Sequence, residues 1–355
     1  MINNEIYIFI GRLCQGGGER VCVNLANSFS KNNISVNIVV LSMDDDFYSS
    51  QLDHNINLIN INSYNPFIIL KKIRTIIKKS SPQSKILSFN YHISFYLSIL
   101  KRLYSFEYIT RSLNTLSLEF EKRRSLMDKL IKKLVIFGLS SSSKIIAQSN
   151  GMKDDLLKFN IPLEKIITIN NPINDTYINI EKNNETNEKY IIYVGRLAEQ
   201  KGLEYLLKAF VHVNKDYNLL IIGQGNKLQE LIKLAKELNI NKRVKFIGQQ
   251  SDIAQFYRKS SLTVLSSIYE GFPNVLIESI ACGTPVVSFD CPSGPNEIIY
   301  DGINGYLANY LDSHDLAVKI NKALLTEFDP NALRDSVLKF HPENITNEYV
   351  KTIFQ

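Results

Sequence analysis

The chain has 355 residues, 45% of them hydrophobic and 21% charged, with ten prolines and sixteen glycines, which excludes a low-complexity chain and calls for two cores of ordinary size rather than one. Its four cysteines, Cys14, Cys22, Cys282 and Cys291, form no C-x-x-C pair, and its five histidines show no zinc-type spacing, so the thiols read as reduced and no metal site is expected. The net charge of +6 comes with no helix-turn-helix, finger or aromatic-basic pattern, so nucleic acid is not the expected partner.

In chain order, the opening "MINNEIYIFIGRL" lacks the basic region and long apolar run of a signal peptide, and no later run reaches the length of a membrane span. A cytoplasmic protein is expected. "EIYIFIG" (5 to 11) and "SVNIVVLS" (35 to 42) read as strands around a helix in which Val21, Leu25, Ala26 and Phe29 recur at helical spacing. Between the first strand and that helix, "GRLCQGGGER" fails as a triphosphate loop, because Gly17 and Gly18 stand where Lys and Ser or Thr belong. What remains is Gly16, Gly17 and Gly18 at a helix start. They form either a flexible turn or a place where backbone amides approach an anion closely.

Two amphipathic basic stretches follow. "FIILKKIRTIIKK" (67 to 79) alternates apolar and basic pairs, and "EKRRSLMDKLIKKLVIF" (121 to 137) sets Lys129, Lys132 and Lys133 beside Leu130, Ile131 and Leu134. Each alone reads as a helix with a solvated basic face. Two in one half, with little acid between them, point to an anionic membrane surface or an anionic substrate. "SKILSF" (84 to 89), "FEYITRS" (106 to 112), "SKIIAQS" (143 to 149) and "EKIITINNPI" (164 to 173) continue as strands, and the polar "NDTYINIEKNNETNEKY" (174 to 190) reads as the linker holding the domain boundary.

The second half repeats the alternation. Strands are expected at "YIIYVGRL" (190 to 197), "YNLLIIGQG" (217 to 225), "RVKFIGQ" (243 to 249), "LTVLSS" (262 to 267) and "TPVVSF" (284 to 289), with helices over 202 to 212 and 226 to 239. Apolar strands alternating with amphipathic helices imply parallel sheets buried on both faces, hence two Rossmann-like domains whose ligands sit beyond the strand carboxyl ends. "GQGNKL" (223 to 228) is a poor dinucleotide fingerprint, since Leu228 stands where the third glycine belongs. In "GRLAEQKG" (195 to 202), Arg196 and Lys201 follow Gly195 at a strand end and can face one diphosphate; alone, such a pair is ordinary surface charge.

"YEGFPNVLIESIACGTPVVSF" (269 to 289) is the richest segment. Glu270 falls in the turn after a strand, Pro273 and Asn274 suit a helix start, Glu278 falls about one turn in, and Gly283 is placed to end the helix. Bare amides at that start suit a phosphate, and a carboxylate accepts two hydroxyl hydrogen bonds from a vicinal diol. The segment reads as a diphosphate site with a sugar on either side.

Together "GGGERVCVNLANSFSKNN", "IIAQSNGMKDDL", "NNPI", "VGRLAEQKGLEYLLKAF" and "YEGFPNVLIESIACGTPVVSFDCPSGPNEIIYDGINGYL" resemble the retaining glycosyltransferases of the GT-B fold, group 1 or family 4, over nearly the whole chain. "SFDCPSGPNEII" is most similar to the branch that builds lipopolysaccharide, capsule and exopolysaccharide units. The resemblance implies a domain over 1–174, a nucleotide-sugar domain over 175–340, and a terminal helix, about 341–355, crossing back to the first. It implies Glu270 against the donor sugar, Glu278 on the ribose, Arg196 and Lys201 on the diphosphate, and the backbone from Gly271 through Phe272, Pro273 and Asn274 to Val275 as the cradle for sugar and phosphate. Gly16 to Gly18 would approach the phosphates, and Gly195 would open the cationic loop. No cofactor or metal is implied. The expected partners are a UDP-sugar, a polyprenyl-diphosphate-linked saccharide and the anionic inner face of the membrane. One departure stands out: many relatives have His-Asn where Leu113 precedes Asn114, and His92 of "SFNYHIS" is the residue that could substitute, although a lone histidine there is commonly just a loop residue. A nucleotide-sugar-binding subunit without activity, or a sugar epimerase or phosphorylase of the same fold, are the competing readings. Intact Glu270, Glu278, Arg196 and Lys201 disfavour the first, and the paired E-x7-E and K-G motifs the second.

Overall fold

The computed structural model describes residues 4–121, 125–178 and 189–355. The chain divides into two compact units, Met1–Pro172 with Pro342–Gln355, and Ile173–His341. Residues 179–188 of the expected linker and 122–124 of the second basic stretch lie outside the described residues.

Unit 1 runs β1 (Glu5–Ile10), α1 (Gly17–Lys31), β2 (Ser35–Val40), β3 (Asn57–Asn60), α2 (Pro66–Lys79), β4 (Lys85–Ser88), α3 (Tyr91–Lys101), β5 (Ile109–Arg111), α4 (Leu116–Glu121), α5 (Leu126–Ser140), β6 (Lys144–Ala147), α6 (Asn150–Leu157) and β7 (Ile166–Thr168). Its seven strands are parallel in the order β3-β2-β1-β4-β5-β6-β7. Ile8 lies opposite Ile38 on one side and Leu87 on the other. Successive β1 side chains enter opposite faces: Ile6, Ile8 and Ile10 join one apolar cluster and Phe9 another, which is why the strand beyond Glu5 is a continuous hydrophobic run rather than an alternating one.

Unit 2 runs β8 (Tyr190–Val194), α7 (Leu203–Phe210), β9 (Asn218–Ile222), α8 (Leu228–Glu237), β10 (Val244–Gly248), α9 (Ala254–Lys259), β11 (Leu262–Leu265), α10 (Asn274–Ala281), β12 (Val286–Phe289), α11 (Pro295–Ile298), β13 (Gly305–Ala308), α12 (Ser313–Leu325) and α13 (Pro330–Asp335). Its six strands, again parallel, follow the order β10-β9-β8-β11-β12-β13. In each sheet the order reverses beside the first strand, between β1 and β4 and between β8 and β11. An α/β sheet opens a crevice at such a switch point.

Unit 2 begins ahead of the polar segment in which the sequence places the boundary. Ile173 and Tyr177 are buried in its apolar cluster with Tyr257 and Phe340, and the Ile173 amide donates to the Phe340 carbonyl at 2.9 Å. The terminal helix α14 (Pro342–Phe354) belongs to unit 1. It buries Ile345, Tyr349 and Ile353 against the β1 and α1 side of the sheet, with Tyr349 edge-on to Phe29 at 6.3 Å. The Tyr349 hydroxyl accepts from Nε of Arg111 at 2.9 Å, and Lys144 Nζ donates to the Thr352 carbonyl at 2.8 Å.

Both basic stretches are helical where described. Asn65 caps α2 by accepting from the Phe67 and Ile68 amides, with Pro66 at the first helical position, and Phe67 is left 83% exposed. A Ser125–Asp128 capping box opens α5, whose first turns stand clear of the core: Leu126 is 84% and Met127 64% exposed. Lys129 and Lys133 are exposed. Lys132, grouped with them in the sequence, instead holds its ammonium 5.0 Å over the Phe159 ring, because burial of Val135, Gly138 and Leu139 turns that side of the helix inward. Among the described residues, no helix is long and apolar enough to cross a membrane.

Candidate nucleotide-sugar site

The sequence-expected residues of unit 2 lie on the loops leaving β8 and β11, the pair of strands at the switch point. After β8 the chain turns through Gly195 and Arg196 into a short helical turn, Glu199–Lys201, and then Gly202 at φ +56° begins α7. A side chain at Gly202 would strike the Ser266 carbonyl. Only glycine meets both demands there. The two loops are stitched together: Ser266 Oγ donates to the Lys201 carbonyl at 3.0 Å, the Ile268 amide to the Gln200 carbonyl at 2.8 Å, and Gln200 Nε2 to the Tyr269 carbonyl at 3.0 Å.

The stitching brings Lys201 and Glu270 into contact. Lys201 Nζ lies 2.5 Å from Glu270 Oε1, and Ser267 Oγ donates to the same oxygen at 2.5 Å. Glu270 is 8% exposed. A carboxylate so buried needs such donors, because desolvation without them is costly. Arg196 is exposed on the same loop. Tyr193 is fully buried and donates its hydroxyl to the Arg196 carbonyl at 3.1 Å; its phenol is held well above the ordinary range by burial first and by Glu270 second.

The "GQG" that resembles part of a nucleotide fingerprint serves packing. A side chain at Gly223 would collide with the Gly195 carbonyl, and one at Gly225 with the Leu197 carbonyl. Leu197 and Gln224 bond amide to carbonyl at 2.9 Å, and the Lys227 amide donates to Leu197 at 3.0 Å. The exit loop of β9 thus braces the loop that carries Arg196.

Leaving β11, the turn of Glu270 to Pro273 leads into α10, with Pro273 as an N-cap that supplies no side-chain hydrogen bond. Ser293, at φ +72°, donates its hydroxyl to the Gly271 carbonyl at 2.8 Å and holds this turn from the loop after β12. Phe272 is buried edge-on to Phe340 at 5.2 Å, so only its backbone is placed for a ligand. Leu276, Ile277 and Ile280 anchor α10 in the core and Val275 is partly buried. The helix ends in a Schellman motif, in which the Thr284 amide donates to Ser279 at 3.0 Å and the Gly283 amide to Ile280 at 2.9 Å, with Gly283 at φ +81°. Glu278, 3% exposed, accepts from the hydroxyl of Tyr257 at 3.2 Å. The result is a helix start without a side-chain cap, one buried carboxylate before it, another one turn in, and a lysine on the first.

In unit 1, Gly16 is the extended N-cap of α1, at φ −160°. The Glu19 carboxylate folds over it, so that a side chain at 16 would have to push that flexible group aside. The sequence reading places an anion at this loop; the structure places the protein's own carboxylate at its first glycine, 3.9 Å from Cys14 Sγ. A side chain at Gly18 would meet Leu113 at 3.3 Å, so the residue that departs from the family pattern packs on the glycine loop. His92 is exposed in the first turn of α3, its ring 4.3 Å from that of Tyr91.

Sequence reasoning missed Ser267, Ser293, Tyr193 and Tyr257. A signal existed for Ser267, since S-x-x-E is a spacing at which a hydroxyl and a carboxylate meet. None existed for Tyr257, whose partner lies 21 residues away.

Comparison with known proteins gives a consistent picture. Residues 175–337 match the family described as Glycosyl transferases group 1, and residues 15–177 that described as Glycosyltransferase Family 4. Over 302 residues, 82% of each chain, the protein is 31% identical to an uncharacterized glycosyltransferase of Haemophilus influenzae. Over 316 residues, 85% of each chain, it is 27% identical to a Campylobacter jejuni protein named N-acetylgalactosamine-N,N'-diacetylbacillosaminyl-diphospho-undecaprenol 4-alpha-N-acetylgalactosaminyltransferase. The crystal structure of HepE from Anabaena in complex with UDP-glucose shares the fold, with a TM-score of 0.82, 98% of each chain covered and 18% identity.

Proposed function

The chain belongs to the group 1, family 4 glycosyltransferases of the GT-B fold, and from that premise we propose that it moves a hexose or N-acetylhexosamine, with retention of configuration, from a UDP-sugar to a polyprenyl-diphosphate-linked saccharide in the assembly of a surface polysaccharide. The observation that carries this reading is the Lys201–Glu270 pair beside the start of α10, with Glu278 one turn further on. The helix start and Lys201, joined by Arg196, offer positive charge to a diphosphate, while the two carboxylates offer acceptors to sugar and ribose hydroxyls. The UDP-glucose bound by HepE and the diphospho-undecaprenol acceptor for which the Campylobacter protein is named support a UDP-sugar and a lipid diphosphate.

In the proposed reaction the bond between the anomeric carbon and the diphosphate oxygen breaks, its electron pair leaving with the diphosphate. The acceptor hydroxyl oxygen bonds that carbon from the same face, and its proton passes to the departing phosphate. Lys201, Arg196 and the α10 amides would stabilise the charge that grows on the leaving group, which is the work a bound cation would otherwise do. No metal is needed in this reading. Glu270 would hold the donor hydroxyls and keep Lys201 in place until the diphosphate arrives. The acceptor would be met at the cytoplasmic face of the membrane, where exposed Leu126 and Met127 on the same helix as exposed Lys129 and Lys133, and exposed Phe67 at the start of α2, suit an anionic surface.

Thermal-shift measurements with a panel of UDP- and GDP-sugars identify the donor, because a ligand bound only by the folded state raises the melting temperature. With that donor and a lipid-linked acceptor, Glu270→Ala is expected to lower transfer by at least about a hundredfold. Wild-type rates in that variant would remove Glu270 from the mechanism.

A further inference from the structure

We propose that Tyr257 is the positioning residue of Glu278, its hydroxyl fixing the plane of that carboxylate so that it faces the vicinal diol of the donor's ribose. This rests on Glu278 being the ribose reader. Tyr257 is fully buried at the end of α9, and its hydroxyl donates to Glu278 Oε2 at 3.2 Å. The residue is held from three sides. Its carbonyl accepts from Thr284 Oγ1 at 2.6 Å and from Ser260 Oγ at 2.9 Å, and its ring meets Tyr177 edge-on at 5.8 Å with an interplanar angle of 74°.

A phenol so anchored cannot follow a carboxylate that swings; the carboxylate must come to it. Glu278 is an α10 residue whose neighbours Ile277 and Ser279 are themselves buried, so its backbone is equally fixed. A carboxylate has about four acceptor sites. Occupying one of them with a rigid donor decides where the others point, and a diol that must bond both oxygens reads that orientation directly. A residue needed only for packing would serve as well as Phe, which fills the same volume without the hydroxyl.

The test is calorimetric binding of UDP and 2′-deoxy-UDP to the intact chain, as wild type, Tyr257→Phe and Glu278→Gln. Wild type is expected to prefer UDP by about tenfold, the size of a hydrogen bond to a charged group. Glu278→Gln should abolish the preference. Tyr257→Phe should cut it to about twofold while leaving the affinity for 2′-deoxy-UDP within about a factor of two. The preference is a ratio measured on one sample, so partial unfolding of a variant does not alter it. If Glu278→Gln loses the preference and Tyr257→Phe keeps it in full, Tyr257 only fills the core and the proposal fails. If Glu278→Gln itself keeps the preference, the ribose assignment fails, and the role of Tyr257 goes with it.

Discussion

Glycines and glutamates in this chain pose the same problem in different forms, since each is demanded for more than one reason. Gly223 and Gly225 follow a strand in a sequence that resembles a fragment of a nucleotide loop, yet what excludes a side chain there is the backbone of residues 195 to 197. A missing Cβ is required equally by a ligand and by a neighbouring carbonyl, so sequence cannot separate the two. Gly225→Ala should therefore destabilise unit 2 by about 1–3 kcal/mol through overpacking, and lower donor affinity as the Arg196 loop is displaced. A denaturant midpoint equal to wild type would contradict the bracing role. Glu270 and Glu278 were legible because a turn signal and a helix start fix where each falls. The lysine on Glu270 and the tyrosine on Glu278 were not, because contacts 69 and 21 residues apart leave no local pattern.

Elements were legible where burial is two-sided. β1, β2, β8 and β9 are apolar runs bounded by glycine or polar turns, and each falls within its expected strand. The edge strands β3 and β13 escaped notice: "NLIN" and "GYLA" are four residues each, with Asn at both ends of one and Gly opening the other. Sequence periodicity also put Lys129, Lys132 and Lys133 on one basic face, whereas the helix turns Lys132 toward Phe159. A helical period says which residues are neighbours, not which side faces inward. Replacing Lys129 and Lys133 by Gln should weaken binding to vesicles containing anionic phospholipid and leave UDP-sugar affinity unchanged, with each lysine contributing about 1 kcal/mol at such a surface. Co-sedimentation with those vesicles measures it; equal binding by the double variant would show that α5 does not meet the membrane.

Across the whole molecule, buried thiols and the buried phenols of Tyr108 and Tyr193 are held neutral. Burial pushes the thiol of Cys282 up to about 12 from its ordinary 9.0, with nearby Glu278 adding to the effect, and raises those of Cys22 and Cys291 and the phenols of Tyr108 and Tyr193 in the same direction. Each keeps its proton in the folded chain at a pH where the unfolded chain releases it. The stability this represents is complete below the ordinary thiol value of 9.0 and is lost as pH climbs toward 12. The melting temperature should accordingly fall across that interval, and one that held steady through it would contradict the burial of these groups. The placement of α14 has a further consequence, in the order of synthesis. Unit 1 needs Ile345, Tyr349 and Ile353 to cover α1 and to meet the buried Arg111 guanidinium, but those residues lie downstream of all of unit 2. On the ribosome, therefore, the domain begun first is completed last, and its uncovered apolar face must wait for an entire second domain to be translated, a window in which chaperones or misassembly compete with α14 for the same surface.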